Sequence, residues 1–291
     1  MLTEQLNPNT HDIDRVSTED MIRLINAQDM TVAHVVQAAT PQIAAAVDAM
    51  VERLRRGGRI IYVGAGTSGR MGMMDAVECV PTFGTPPELF QAFLAGGDVA
   101  FRKAIEGAED RSEDGEAILR DLPLSAEDVV VGIAASGRTP FVLGAMAYAR
   151  EVGARTIGIS CNDPAPLLDA AELPIALPVG PEVISGSTRL KAGTAQKMVL
   201  NMLSTGAMVK SGKVYRNLMV DVKITNEKLA RRAVDLVVHL TDLDAEAART
   251  LLAAADNHVK AAVVMHHKQV DYAAAQALLG EHNGFLRAII E

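Results

Sequence analysis

The sequence predicts an α/β fold in which a doubly wound parallel sheet is flanked by helices. Three features indicate this class: several strand-like runs are continuously apolar, helical patterns separate them, and glycine-rich polar loops follow two of them. Strands that are apolar along their whole length are typical of parallel sheets covered on both faces. The predicted strands are residues 59–63, 89–94, 129–134, 156–160 and 174–178.

A helical segment precedes the first strand. Ser17 followed by Asp20 matches a capping pair at a helix start, and Thr31 is predicted to cap a second helix. A third apolar-periodic stretch covers residues 41–54 and ends at a glycine pair. We therefore assign residues 1–55 to an N-terminal helical segment.

Helical patterns also lie between and after the strands. Those between the strands cover residues 70–77, 98–120 and 141–151. A long helix is predicted at about 190–210, and the chain after residue 216 is helical and alanine-rich. We expect a central α/β domain at 56–216 and a small C-terminal helical domain at 217–291.

Composition excludes several classes of function. Hydrophobic residues make up 49% of the 291, so a packed globule is expected. The net charge is −8 and aromatics are only 3%, which argues against nucleic acid as a partner. No apolar run is long enough to span a membrane, and residues 1–14 lack a signal-peptide core. Two cysteines are too few for a disulfide scaffold and fit the cytoplasm, which is the predicted location.

Two loops carry the tripeptide Ser-Gly-Arg, and each follows a strand and opens a helix. They are G-A-G-T-S-G-R at 64–70 and A-A-S-G-R-T-P at 134–140. Backbone N–H groups at a helix start attract anions, and nearby hydroxyls add donors. A third polar cluster at 185–189 precedes the long helix and is expected to close the same site. The residues predicted to bind a phosphorylated ligand are Thr67, Ser68, Gly69, Arg70, Ser136, Gly137, Arg138, Thr139, Ser185 and Ser187.

The first loop also spells the dinucleotide-binding pattern G-x-G-x-x-G, at Gly64, Gly66 and Gly69. A nicotinamide site needs an acidic residue about 20 positions further on. The nearest candidate, Asp98, lies 29 positions after Gly69, and this hypothesis leaves the second Ser-Gly-Arg loop unexplained. A small phosphorylated ligand is therefore favoured.

Several long motifs resemble the bacterial N-acetylmuramic acid 6-phosphate etherases, and the resemblance runs from about residue 14 to the end of the chain. They are G-A-G-T-S-G-R-M-G-M-M-D-A-V-E-C-V-P-T-F-G at 64–84, A-I-E-G-A-E-D at 104–110, G-I-A-A-S-G-R-T-P at 132–140, S-T-R-L-K-A-G-T-A-Q-K at 187–197, N-L-M-V-D at 217–221 and T-N-E-K-L at 225–229. The resemblance implies a sugar isomerase (SIS) fold with a five-stranded parallel sheet, and a homodimer. It also implies cleavage of a lactyl ether during cell-wall recycling.

The resemblance assigns catalysis to two glutamates. It implies that Glu78 protonates the departing lactate oxygen, and we assign Glu109 as the base at sugar carbon 2. From the residues alone, both could belong to solvated acidic faces. Such chemistry needs a base, an acid and oxyanion donors, so we expect no metal and no redox cofactor. Cys79, next to Glu78, is expected to be a small buried residue.

Two other functions on the same fold stay open at this point. One is a non-catalytic sugar-phosphate sensor, like the related glucokinase regulatory proteins. The other is an aldose–ketose sugar-phosphate isomerase, which shares proton abstraction next to a carbonyl. The etherase alone releases D-lactate, so a lactate assay separates the three.

Overall fold

The computed structural model describes residues 1–103, 105–224 and 226–291. Position 104, inside the predicted helix 98–120, and position 225, inside the predicted C-terminal helical domain, lie outside the described residues. Packing divides the chain into two compact units. The first contains Met1–Ala76 and Glu88–Ser204, and the second contains Val77–Pro87 and Thr205–Glu291. The division predicted from the sequence, at residues 55 and 216, stays a prediction.

A five-stranded, all-parallel sheet forms the centre of the first unit, as the sequence predicted. The strands are β1 (Ile60–Gly64), β2 (Phe90–Leu94), β3 (Val129–Ala134), β4 (Arg155–Ser160) and β5 (Leu173–Ala176). Their order is β2-β1-β3-β4-β5. Every residue of β1 and β3 is buried, which explains why these strands are continuously apolar.

Helices cover this sheet and make up most of the second unit. The helices are α1 (Thr18–Ala38), α2 (Thr40–Arg55), α3 (Gly66–Phe83), α4 (Val99–Arg102), α5 (Ser112–Asp121), α6 (Pro140–Val152), α7 (Pro166–Ala170), α8 (Lys191–Lys210), α9 (Glu227–Thr241), α10 (Ala245–Ala254), α11 (Val259–Lys268), α12 (Tyr272–Glu281) and α13 (Arg287–Ile290). Short 3-10 turns occur at Leu2–Glu4, Pro8–Thr10 and Ala108–Asp110. None of the helices within the described ranges is both long and apolar enough to cross a membrane.

Two predicted helix boundaries are wrong. Ser17 caps α1 as predicted, since its hydroxyl accepts from the Asp20 amide, but α1 continues through Thr31. The Thr31 hydroxyl donates to the Gln28 carbonyl within the same helix, 2.7 Å away, so it does not start a new one. The predicted helix at 98–120 is instead α4, a 3-10 turn and α5. An extended backbone at Lys103 ends α4, and the turn follows a left-handed glycine.

An ion pair aligns the amino ends of β1 and β3. The Arg59 guanidinium donates to both carboxylate oxygens of Asp128, with Nη2 2.7 Å from Oδ2, and its backbone N–H donates to Oδ1 at 2.8 Å. Burial acts to raise the pKa of Asp128, but the Arg59 contacts outweigh it and hold the pKa below its usual range. The strands then run in register, so that Gly64 pairs with Ile133 at their carboxyl ends.

The second unit has an apolar core of its own. Buried residues of α9, α10, α11 and α12, such as Val237 and Val263, pack with residues of the segment before α9, such as Val220. A charged cluster also lies here: the buried carboxylate of Asp221 contacts the buried Lys260 and the partly exposed Lys213.

Candidate functional site

The two Ser-Gly-Arg loops follow adjacent strands. Because β1 has β2 on one side and β3 on the other, the winding direction reverses between β1 and β3. Ligands of open α/β sheets bind beyond the carboxyl ends of the strands at such a point. The pairing of Gly64 with Ile133 shows that β1 and β3 are neighbours, which is the condition for the predicted crevice between their loops. The shared crevice itself stays a prediction.

The first loop packs too tightly to admit a side chain at its third glycine. A Cβ on Gly69 would lie 2.3 Å from Leu94 Cδ1 and 2.7 Å from the Gly64 carbonyl oxygen. The Ser68 hydroxyl is buried and donates to Gln196 Oε1 at 2.9 Å. The absence of a side chain at Gly193 leaves room for Thr67, whose Cγ2 would be 3.2 Å from a Cβ there. The loop therefore lies directly against α8.

The second loop is held by hydrogen bonds to its neighbours. Asn162 Nδ2 donates to the Ala135 carbonyl at 2.8 Å, and the Leu167 amide donates to the Gly137 carbonyl at 2.9 Å. Ser136 Oγ accepts from the Arg138 amide at 3.1 Å, which uses a lone pair and not the hydroxyl proton. Thr139 is the residue before the first turn of α6, and its side chain makes no capping hydrogen bond there.

The third polar cluster has other partners. The Ser185 hydroxyl donates to the Glu4 carbonyl at 3.0 Å. Ser187 is half-buried, and its amide donates to the Ile184 carbonyl. The buried carboxylate of Glu182 accepts from the amides of Lys191 and Ala192 at 2.9 Å each, so a side chain already fills the start of α8. Burial raises the pKa of Glu182, while these two amides act to lower it.

A cavity of about 240 Å³ lies beside the first loop, and one predicted catalytic residue helps to line it. Glu109 stands on the 3-10 turn Ala108–Asp110 and lines the same cavity as the loop residues Gly66 and Arg70. Among the described residues, the cavity is lined by Ala65, Gly66, Arg70, Ala95, Ala100, Lys103, Ile105, Glu106, Gly107, Ala108 and Glu109. Of the predicted site residues, Arg70 and Glu109 thus meet here.

The other predicted catalytic residue, Glu78, is an exposed position of α3 and belongs to the second unit. It is not among the residues that line this cavity. Its neighbour Cys79 is buried, as expected.

A polar network behind the first loop was missed from the sequence. Asp75 on α3 is only 4% exposed and accepts hydrogen bonds from Tyr62 Oη, Asn201 Nδ2 and Ser204 Oγ at 2.9, 2.7 and 3.0 Å. Burial raises the pKa of Asp75, although these three donors act to lower it. The network joins β1, α3 and α8. The three donors come from positions 62, 201 and 204, so the network could not be predicted from the sequence.

The site contains no recognisable metal centre within the described parts of the chain. There, no three His, Cys, Asp or Glu side chains are close enough together to hold a metal ion.

Family models match most of the chain. Residues 42–150 match the glucokinase regulatory protein N-terminal SIS domain, residues 110–206 match the SIS domain, and residues 216–277 match the C-terminal lid domain of glucokinase regulatory protein. The chain is also similar in fold to the solved phosphoheptose isomerase from Francisella tularensis, with a TM-score of 0.52 and 20% identity. That likeness covers 67% of this chain and 100% of the isomerase.

Whole-length relatives are much more similar. The N-acetylmuramic acid 6-phosphate etherase of Vibrio vulnificus (strain YJ016) is 52% identical over 290 residues, which is 100% of this chain and 97% of that protein. The N-acetylmuramic acid 6-phosphate etherase of Salmonella agona (strain SL483) is 53% identical, over 100% of this chain and 98% of that one. This chain therefore belongs to the N-acetylmuramic acid 6-phosphate etherase family.

Proposed function

We propose that this protein cleaves the D-lactyl ether of N-acetylmuramic acid 6-phosphate and forms N-acetylglucosamine 6-phosphate and D-lactate. The observation that carries the proposal is the identity of 52–53% to etherases along the whole chain. The crevice at the reversal point of the sheet, with a carboxylate beside a helix-start loop, is chemically suited to such a substrate.

The reaction follows from the position of the ether. It is attached to carbon 3, which is β to the aldehyde of the open-chain sugar. A base removes the proton from carbon 2, and the electron pair forms an enolate-like species. That species re-forms the carbonyl as the carbon 3–oxygen bond breaks, and an acid supplies the proton that the departing lactate oxygen takes up. Water then adds across the carbon 2–carbon 3 double bond, which restores a hydroxyl at carbon 3 and a proton at carbon 2.

Three sets of groups are proposed for these tasks. We propose that the amides of both loops, with the Ser136 and Thr139 hydroxyls, bind the 6-phosphate. Glu109 lines the same cavity as first-loop residues and is proposed as the base at carbon 2. Glu78 is proposed as the acid for the leaving oxygen. Carboxylates positioned in this way typically contribute 10²–10⁴-fold each to the rate.

We further propose that the protein acts as a cytoplasmic homodimer in the recycling of cell-wall amino sugars. Two methionines on the first unit, Met74 and Met202, are 42% and 44% exposed and offer apolar surface that a second copy would cover. The two buried thiols, Cys79 and Cys161, fit a reducing compartment.

A D-lactate assay tests the proposed activity. Purified protein is incubated with N-acetylmuramic acid 6-phosphate, and D-lactate and N-acetylglucosamine 6-phosphate are measured in parallel, with Glu109→Gln as the negative control. Equimolar release of the two products by the wild type, lost in the variant, supports the proposal. A ketose without lactate would instead identify an isomerase, and binding without turnover a sensor.

A further inference from the structure

The segment that carries Glu109 exposes several of its apolar side chains. Its described parts include the single turn α4 and a 3-10 turn. Val99, Phe101 and Ile105 are 61%, 47% and 42% exposed, whereas Ala100 is buried. A segment of this kind needs polar contacts to hold a base in one place.

Arg70 supplies such contacts. Its Nη2 donates to the Ala100 carbonyl at 2.7 Å, and its Nε donates to the Phe101 carbonyl at 3.1 Å. Both acceptors are in α4, and Arg70 itself lies in the second turn of α3 as the last residue of the first loop. The planar guanidinium thus joins the loop to the segment across the cavity that Glu109 lines.

We propose that Arg70 is a positioning residue for Glu109, and not principally a phosphate ligand as the sequence suggested. Two of its nitrogen atoms are directed at backbone carbonyls of α4, which sets the distance between the first loop and the turn with Glu109. The proposal rests on the proposed function, because Glu109 matters here as the base at carbon 2. A misplacement of about 1 Å at a catalytic group can cost on the order of 100-fold in rate.

The experiment compares Arg70→Lys and Arg70→Ala with the matched control Arg102→Lys, which changes an exposed arginine of α4 that does not line the cavity. Lysine keeps the charge but loses the planar pair of donors. Three quantities are measured: kcat for lactate release, exchange of solvent deuterium into carbon 2 of N-acetylglucosamine 6-phosphate, and the Kd of that product by calorimetry. Amide hydrogen exchange of residues 99–110 is followed in the ligand-free protein.

We expect both Arg70 variants to lose about 10- to 100-fold in kcat and in carbon 2 exchange, with Kd within about threefold of the wild type. Amides of residues 99–110 should exchange faster, and added guanidinium ion should partly restore the exchange reaction in Arg70→Ala. Arg102→Lys should match the wild type in all of these.

A Kd weakened tenfold or more in Arg70→Lys, with normal carbon 2 exchange at saturating product, would overturn the proposal and make Arg70 a ligand contact. Unchanged amide exchange in both Arg70 variants would overturn it as well. Lactate release by the wild type is measured separately, and its absence would count against the proposed function. Amide exchange of residues 99–110 would still test whether Arg70 holds α4 in place.

Discussion

The carboxylate of Asp221 lies 2.8 Å from the ammonium group of Lys260, and both side chains are more than nine-tenths buried. Lys213 contacts the same Asp221 oxygen at 3.0 Å. Lys260 also donates to the carbonyls of Gly212 and Gly284, at 3.2 and 3.1 Å. One buried ammonium therefore ties three separated stretches of the second unit together.

Removal of this carboxylate should destabilise the second unit. Asp221→Asn leaves Lys260 buried without its counter-charge, a change that costs about 3–5 kcal/mol in other proteins. Urea unfolding, together with hydrogen exchange of the α11 amides, measures the loss. Asp256→Asn is the matched control, since Asp256 is exposed and its left-handed backbone tolerates asparagine. Equal stability of the two variants would show that the pair contributes nothing.

The same carboxylate should make stability depend on acidity. Burial acts to raise the pKa of Asp221, but His258, Lys260 and Lys213 outweigh it and lower the pKa from 3.8 to about 2. The folded state thus binds this proton less readily than the unfolded chain. The stabilisation is complete above about pH 4 and is lost as the pH falls towards 2; it amounts to roughly 2 kcal/mol.

Unfolding free energies measured between pH 2 and 5 test this expectation. The wild type should lose stability more steeply than Asp221→Asn across that window. Asp128, whose pKa is also lowered, adds to the slope in the first unit and is present in both proteins. Parallel curves would contradict the assignment of this pKa to Asp221.

The two glutamates should differ in the half-reactions that they support. The product N-acetylglucosamine 6-phosphate still has a carbon 2 proton but no lactate to expel. Glu78→Gln should therefore lose lactate release and keep slow deuterium exchange at carbon 2, whereas Glu109→Gln should lose both. Each defect should be about 10²–10⁴-fold. Exchange that survives in Glu109→Gln alone would reverse the two roles, and normal lactate release by both variants would remove them from the mechanism.

The serines of the two loops should respond differently to truncation. The Arg138 amide uses only a lone pair of Ser136 Oγ, and we propose that the hydroxyl proton binds the substrate phosphate. Ser136→Ala should therefore weaken substrate binding by about 1–3 kcal/mol and leave the melting temperature near that of the wild type. The Ser68 hydroxyl already donates its proton to Gln196, so Ser68→Ala should chiefly lower the melting temperature. Calorimetric Kd values and thermal melts of both variants decide this. An unchanged Kd and KM in Ser136→Ala would contradict the phosphate site.

The sequence predicted well what depends on local pattern. Continuous apolar runs marked β1 and β3 because both are buried on each face, and glycine-rich loops marked the ends of these strands. It predicted less well where backbone groups are the partners. Nothing in the sequence shows that the Arg70 guanidinium donates to the carbonyls of Ala100 and Phe101, so its charge suggested a phosphate instead.

Long-range pairing explains the other omissions. The hydrogen-bond network of Asp75 could not be predicted, because its donors Asn201 and Ser204 come more than 120 positions later. The predicted helix at 98–120 followed a periodic pattern, but the left-handed backbone of Gly107 turns the chain and places Glu109 at the cavity. Tertiary contacts override local propensity at such places.

The second unit includes Val77–Pro87, which lies far upstream of its main part, Thr205–Glu291. Within the unit, a Cβ at Gly84 would lie 2.5 Å from the Asp221 carbonyl oxygen. This upstream segment therefore packs closely against the backbone at Asp221. During synthesis, the ribosome releases residues 77–87 long before residues 205–291 exist. Residues 77–87 therefore lack their packing partners while strands β2 to β5 are synthesised. A fragment that begins at residue 205 would lack part of its own interior, so a separately expressed C-terminal unit should include residues 77–87, for example through a circular permutation.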